Sequence, residues 1–312
     1  MNKSVFYISL GNDKNKLHCV LWEPEKEAKA VLQISHGMVE YIERYDHFAQ
    51  YLTDAGIVVV GNDHRGHGMT ACSEEDFGYF AENEPSKTAV EDLHRVTAKI
   101  KEKYKDLPYF VMGHSMGSFL IRRYLMTYGN EADGVIIMGT GAQPTAVLMA
   151  GKCIIRLLKT VKGERYRSAL FDKMCFGSYN KRIQSPRTDK DWISRNADNV
   201  DSYLADPYCS FLFTLNGFET LFSTISFVQA KRNIGKIPKK LPVYMVAGKE
   251  DPVGNYGKGV RKVYETYKKH GIQDIEIKLY ENDRHEILNE TDYEIVYQDI
   301  LSWIEKKVHN MK

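Results

Sequence analysis

Tyr109-Phe-Val-Met-Gly113-His114-Ser115-Met116-Gly117 is the stretch from which the fold can be read. Its first four residues form an apolar run typical of a buried strand, and Phe119, Leu120, Tyr124 and Leu125 behind it recur at helical spacing. Between strand and helix stands a G-x-S-x-G turn. A serine at so sharp a turn sits in strained backbone, and its neighbours two residues away on either side must lack side chains for the turn to close. The hydroxyl is thereby raised above the sheet edge. The N-terminus of the following helix points backbone N–H groups and a positive dipole end at the place where an oxyanion would form. The plainer alternative is a glycine-rich β–α turn with an idle serine.

Outward from this turn, strand-like and helix-like segments alternate. Residues 4–10 and 16–22 flank Gly11-Asn12-Asp13 and predict an N-terminal hairpin. Residues 31–35, 57–62, 109–113, 135–138, 243–247 and 275–280 follow, mostly continuous apolar runs of the kind buried on both faces of a parallel sheet. In one intervening helix, N-capped by Ser86, the residues Ala89, Val90, Leu93, Val96, Ala98 and Ile100 form the buried stripe. The alternation predicts an α/β protein with a mostly parallel, doubly wound sheet. It lapses between residues 141 and 240, where helical stretches follow one another. The expected organisation is therefore a core from residues 1–140 and 241–312, with a helical insertion at 141–240.

The composition suits such a domain. The 312 residues are 43% apolar and 27% charged, the balance of an ordinary globular chain. With 43 Lys and Arg against 41 Asp and Glu, there is no electrostatic footprint for nucleic acid. The five cysteines include no C-x-x-C pair, which argues against a disulfide framework or a zinc site and favours a reducing compartment. The N-terminus lacks the pattern of a secretory signal, and no apolar run approaches the roughly 18 residues needed to cross a bilayer. These features predict a cytoplasmic protein.

A serine nucleophile needs a base, and the base needs an orienting acid. In this topology the acid follows a late strand and the histidine follows the last one. Asp251, in Gly248-Lys-Glu-Asp-Pro-Val, and His285, in Glu281-Asn-Asp-Arg-His-Glu, occupy those loops. Glu250 is the rival acid; His270 and His309, in helical patterns, are the rival histidines. A second oxyanion donor is expected after the early strand, in His36-Gly37-Met38, so the backbone N–H groups of Met38 and Met116 form the expected pair. His36 reads as a loop brace. The H-x-x-H of Asp63-His-Arg-Gly-His-Gly68 falls short of a zinc signature and reads as structural.

These motifs, with Arg44-Tyr45 and Arg284-His285-Glu286, together resemble the monoacylglycerol lipase and lysophospholipase branch of the α/β-hydrolases, a group that includes serine aminopeptidase S33 proteins. The resemblance implies Ser115, Asp251 and His285 as triad, Met38 and Met116 as oxyanion donors, and residues 141–240 as a cap over the site. It implies hydrolysis of a small ester or lipid, such as a monoacylglycerol or lysophospholipid, with no metal or cofactor. Where many relatives carry glycine in the oxyanion loop, this chain has Val39. Alternatives are a carboxylesterase, thioesterase or acyltransferase of short or soluble acyl groups, an S33-type aminopeptidase, and a non-catalytic binding protein. Within the cap, residues 145–160 are broadly apolar, with Lys152, Arg156 and Lys159 on one helix face. Such a helix either touches an anionic membrane surface transiently or packs its apolar face against the protein. Oligomeric state is not encoded in any of these patterns.

Overall fold

A computed structural model describes residues 1–11 and 16–311. Eight strands are present among them: β1 (Asn2–Ser9), β2 (Lys16–Glu23), β3 (Ala30–Ser35), β4 (Ile57–Asn62), β5 (Tyr109–His114), β6 (Gly134–Met138), β7 (Val243–Gly248) and β8 (Ile275–Tyr280). They form one sheet in the order β1-β2-β4-β3-β5-β6-β7-β8. β1 and β2 pair antiparallel as the expected hairpin, β2 runs antiparallel to β4, and every later pairing is parallel. Asn12 and Asp13 of the expected turn lie outside the described residues.

Alternation along the central strands explains why their sequences are continuously apolar. Val31, Val58, Val60, Val111, Val135 and Ile137 face one core, while Leu32, Val59, Phe110, Met112, Ile136 and Met138 face another. Helices cover both faces. α1 (Asp46–Asp54) and α10 (Tyr293–Met311) bury Phe48, Leu52, Tyr297, Ile300 and Ile304 in the second core. α2 (Pro85–Lys103), α3 (Met116–Tyr128) and α9 (Lys258–Lys269) cover the first.

The start of α2 differs from the sequence expectation. Pro85 opens the helix, where its missing N–H costs nothing, and Glu84 precedes it with φ 45°. Ser86 lies inside the first turn and accepts a hydrogen bond from Arg123 Nη1 at 2.6 Å. Ala98 is exposed and Thr97 is buried instead, because the stripe Ala89, Val90, Leu93, Val96, Ile100 leaves position 98 on the solvent side.

Between β6 and β7 the chain is helical: α4 (Thr145–Lys162), α5 (Ala169–Phe176), α6 (Ala197–Ala205), α7 (Leu215–Gln229) and α8 (Lys231–Ile234). Leu148, Ile155, Phe171, Phe218 and Leu221 of this segment share the apolar core on which α2 and α3 lie. The segment is thus packed, through α7, against α2 and α3 on that face of the sheet.

Candidate active site

The turn at Ser115 is as tight as its sequence demands. Ser115 follows β5 with φ 53° and ψ −119°, and its N–H donates to the Met138 carbonyl at 3.0 Å. A Cβ on Gly113 would stand 2.3 Å from the Gly117 carbonyl oxygen, and one on Gly117 would stand 2.0 Å from that of Ser35. Only glycine lets α3 start against the ends of β3 and β5. Ser115 remains partly open to a cavity of about 100 Å³.

The sequence-predicted partners converge there. Asp251, fully buried in the loop after β7, has Oδ2 3.0 Å from Nδ1 of His285, while its Oδ1 accepts from the Val253 N–H at 2.8 Å. His285, in the loop after β8, lines the same cavity as Ser115, and Nε2 is the ring nitrogen left to meet a hydroxyl. Glu250 points to solvent. The ring of His270 is held by the Thr266 carbonyl on α9, and His309 lies on the outer face of α10. Met38 and Met116 also line the cavity, and among the described residues neither backbone N–H is donated to a protein acceptor.

His36 is a brace. Its Nδ1 meets the Gly37 carbonyl at 2.8 Å and its Nε2 accepts the His64 N–H at 2.9 Å. His64 and His67 pack beside it, and burial pushes their basicity down, to about 3 and about 4. Arg65 forks onto Asp92 of α2 at 2.6 and 3.1 Å.

Two groups of contacts have no role in the sequence reading, although Arg44, Tyr45, His114 and Glu286 stand in its motifs. The first is a buried charge network beneath the site. The Glu40 carboxylate accepts from the Gly37 N–H, from Tyr45 and from His114 Nδ1, the last two at 3.1 Å. Arg44 reaches Glu40 at 3.1 Å and forks onto Glu286 at 2.8 and 2.9 Å, and Asn199 of α6 also donates to Glu286. Burial favours the neutral carboxyls, but His114 and Arg44 overcome it and hold Glu40 below its ordinary range; Arg44 likewise holds Glu286 at about 2. Burial opposes charge on His114 too, yet Glu40 and Glu286 raise its basicity. His114 Nε2 meets the His285 carbonyl at 3.3 Å, so the network ties the Met38 loop, the residue before Ser115 and the His285 loop together. The second group comes from the helical segment, which lays Trp192 against the His285 ring with centroids 5.2 Å apart.

An eight-stranded, mostly parallel sheet with its serine turn after the fifth strand and an Asp–His pair after the seventh and eighth defines an α/β-hydrolase. The sequence pattern described as serine aminopeptidase, S33 matches residues 26–292, and the chain belongs to that family. A monoglyceride lipase homolog of monkeypox virus is 27% identical over 95% of this chain and 96% of its own. The monoacylglycerol lipase of Mycolicibacterium smegmatis is 25% identical over 91% of each. A thermostable carboxyl esterase from Bacillus coagulans, solved in complex with glycerol, superposes with a TM-score of 0.91 at 29% identity, covering 99% of both chains. With these relatives, the chain is a carboxylic-ester hydrolase.

Proposed function

We propose that the protein hydrolyses monoacylglycerol or lysophospholipid esters through a Ser115–His285–Asp251 triad, with residues 141–240 as the cap. The supporting observation is the shared cavity lined by Ser115, His285, Met38 and Met116, with Asp251 3.0 Å behind the imidazole. Nε2 of His285 takes the serine proton as Oγ attacks the ester carbonyl carbon. The N–H groups of Met38 and Met116 hold the developing oxyanion, each contributing about 3 kcal/mol. Asp251 fixes the proton on Nδ1 and stabilises the imidazolium. His285 then protonates the departing alcohol, and water, activated by the same imidazole, releases the acid from the acyl-serine.

An apolar groove of about 680 Å³ shares Phe176, Leu221 and Ile225 with the cavity and runs under α4 and α5, giving an acyl chain a path away from Ser115. Ser115→Ala is expected to abolish labelling by a fluorophosphonate probe while leaving the circular dichroism spectrum unchanged; labelling that survives at another residue overturns the assignment. A hydrolysis panel of monoacylglycerols, lysophospholipids and short aryl esters tests the substrate class, and preference for acetyl or butyryl esters would favour a short-chain esterase.

The cap also offers a membrane face. Leu148, Gly151 and Ile155 of α4 are buried, whereas Val147, Leu157 and Val161 are exposed on one side; Leu170 and Met174 of α5 are exposed as well. Lys152, Arg156 and Lys159 lie on the opposite side of α4. No helix among the described residues is long and apolar enough to cross a membrane, so contact would be superficial. Lipid vesicles should sediment the protein, and Leu157→Ser with Val161→Ser should weaken that binding; no sedimentation rejects the membrane face.

A further inference from the structure

Of the lysines and arginines described, only Lys190 lines the cavity that holds Ser115 and His285. It is half-buried, and its ammonium makes no hydrogen bond or ion pair with any described residue. The Asp172 carboxylate on α5 feels its charge without bonding to it. The other full charge on the cavity wall, Glu40, is already taken up by Arg44, Tyr45, His114 and the Gly37 amide. The cavity therefore presents one uncommitted positive charge to whatever occupies it.

The segment carrying this lysine is held firmly. Asp191 accepts from the Arg187 N–H and the Thr188 hydroxyl, both at 2.6 Å, and the Lys190 N–H donates to Thr188 Oγ1 at 3.1 Å. Asn180 bonds both the Thr188 carbonyl and the Trp192 N–H. From the His285 loop, Arg284 donates to the carbonyls of Asp191 and Ser194, and the Glu286 N–H to that of Ile193. A cation on so fixed a base loses little backbone freedom on meeting a ligand.

Its location within the cavity indicates which part of the substrate it meets. The acyl groove shares Gln143, Phe176, Tyr179, Leu221 and Ile225 with the cavity but not Lys190, whose near neighbour Trp192 packs on the His285 ring. An ester placed with its acyl chain in the groove directs its alcohol portion toward the remaining wall.

Building on the triad reading above, we propose that Lys190 selects esters whose leaving alcohol carries a phosphate, so that acylated glycerol phosphates are preferred over neutral monoacylglycerols. The ammonium pairs with phosphate oxygens while Ser115 attacks the acyl carbon. The ester C–O bond breaks as His285 passes the Ser115 proton to the departing glycerol alkoxide; water then supplies hydroxyl to the acyl group, and its other proton returns through His285 to Ser115.

The test compares kcat/KM for octanoylglycerol 3-phosphate and octanoylglycerol, both kept as monomers so that interfacial binding does not enter. The wild-type enzyme should favour the phosphate. Lys190→Met should lower the ratio about tenfold, the effect of a charge-assisted contact of roughly 1.4 kcal/mol. Lys190→Arg should restore most of it, and raising salt to about 0.5 M should compress the wild-type ratio far more than that of Lys190→Met. A wild-type preference for the neutral ester, or a ratio unmoved by Lys190→Met, overturns the proposal while leaving the triad reading intact wherever octanoylglycerol is still hydrolysed. Hydrolysis of neither ester by wild-type protein that a fluorophosphonate labels overturns both the phosphate preference and the lipid-ester reading.

Discussion

Ser115 at φ 53° and Val39 at φ 55° both place a Cβ where glycine is at ease and other residues are strained by about 1–3 kcal/mol. At Val39 this gives a physical meaning to the valine that the sequence shows where relatives often carry glycine: the side chain is buried in the cavity wall at the expense of its backbone. At Ser115 the strain keeps the hydroxyl at the tip of the turn. Ser115→Gly should therefore unfold at higher urea than Ser115→Ala, by about 1 kcal/mol after the extra freedom of glycine in the unfolded chain is deducted; equal midpoints would mean that the turn is relaxed. The positions of Ser115, Asp251, His285, Met38 and Met116 were legible in the sequence because each follows a recognisable strand. Lys190 and Trp192 were not, since nothing in Asp189-Lys-Asp-Trp-Ile announces that distant loops bring those side chains to His285.

Among the elements, the strands were the most readable, because burial on both faces forces an unbroken apolar run in each. Helix starts were less so. Ser86 has the chemistry of a cap, but Pro85 beside it already satisfies the first turn, and its hydroxyl instead receives Arg123 from the neighbouring α3. The contact between α3 and the strand ends depends on missing side chains. Gly117→Ala would drive a methyl into the Ser35 carbonyl, and backbone cannot yield as a flexible side chain does. This substitution should cost about 3 kcal/mol or more of stability in urea unfolding and, by moving α3, remove most esterase activity; a fully active, fully stable variant would show that α3 shifts freely.

For the molecule as a whole, buried titratable groups set the response to acid. His64 and His67 stay neutral in the folded state down to about pH 3 and about pH 4, whereas in the unfolded chain they take up protons near pH 6.5. The unfolded state therefore binds more protons in that window, and stability should fall by up to about 1.4 kcal/mol per pH unit for each histidine as pH drops below 6.5. Asp283 acts in the opposite sense. Burial and the nearby Glu290 and Asp292 charges raise it to about 7 despite its bond to Arg195 at 2.7 Å, so its contribution is lost as pH rises. Urea unfolding from pH 4 to 7 should show Asp283→Asn gaining on the wild type toward pH 7; a constant difference would refute this. The contact between Trp192 and His285 spans the seam between the helical segment and the body. Of the three tryptophans, Trp22 and Trp303 are sealed in the interior. The emission of Trp192 is thus a native optical gauge, dimming or brightening as the seam parts, and it lets that event be timed without attaching a dye.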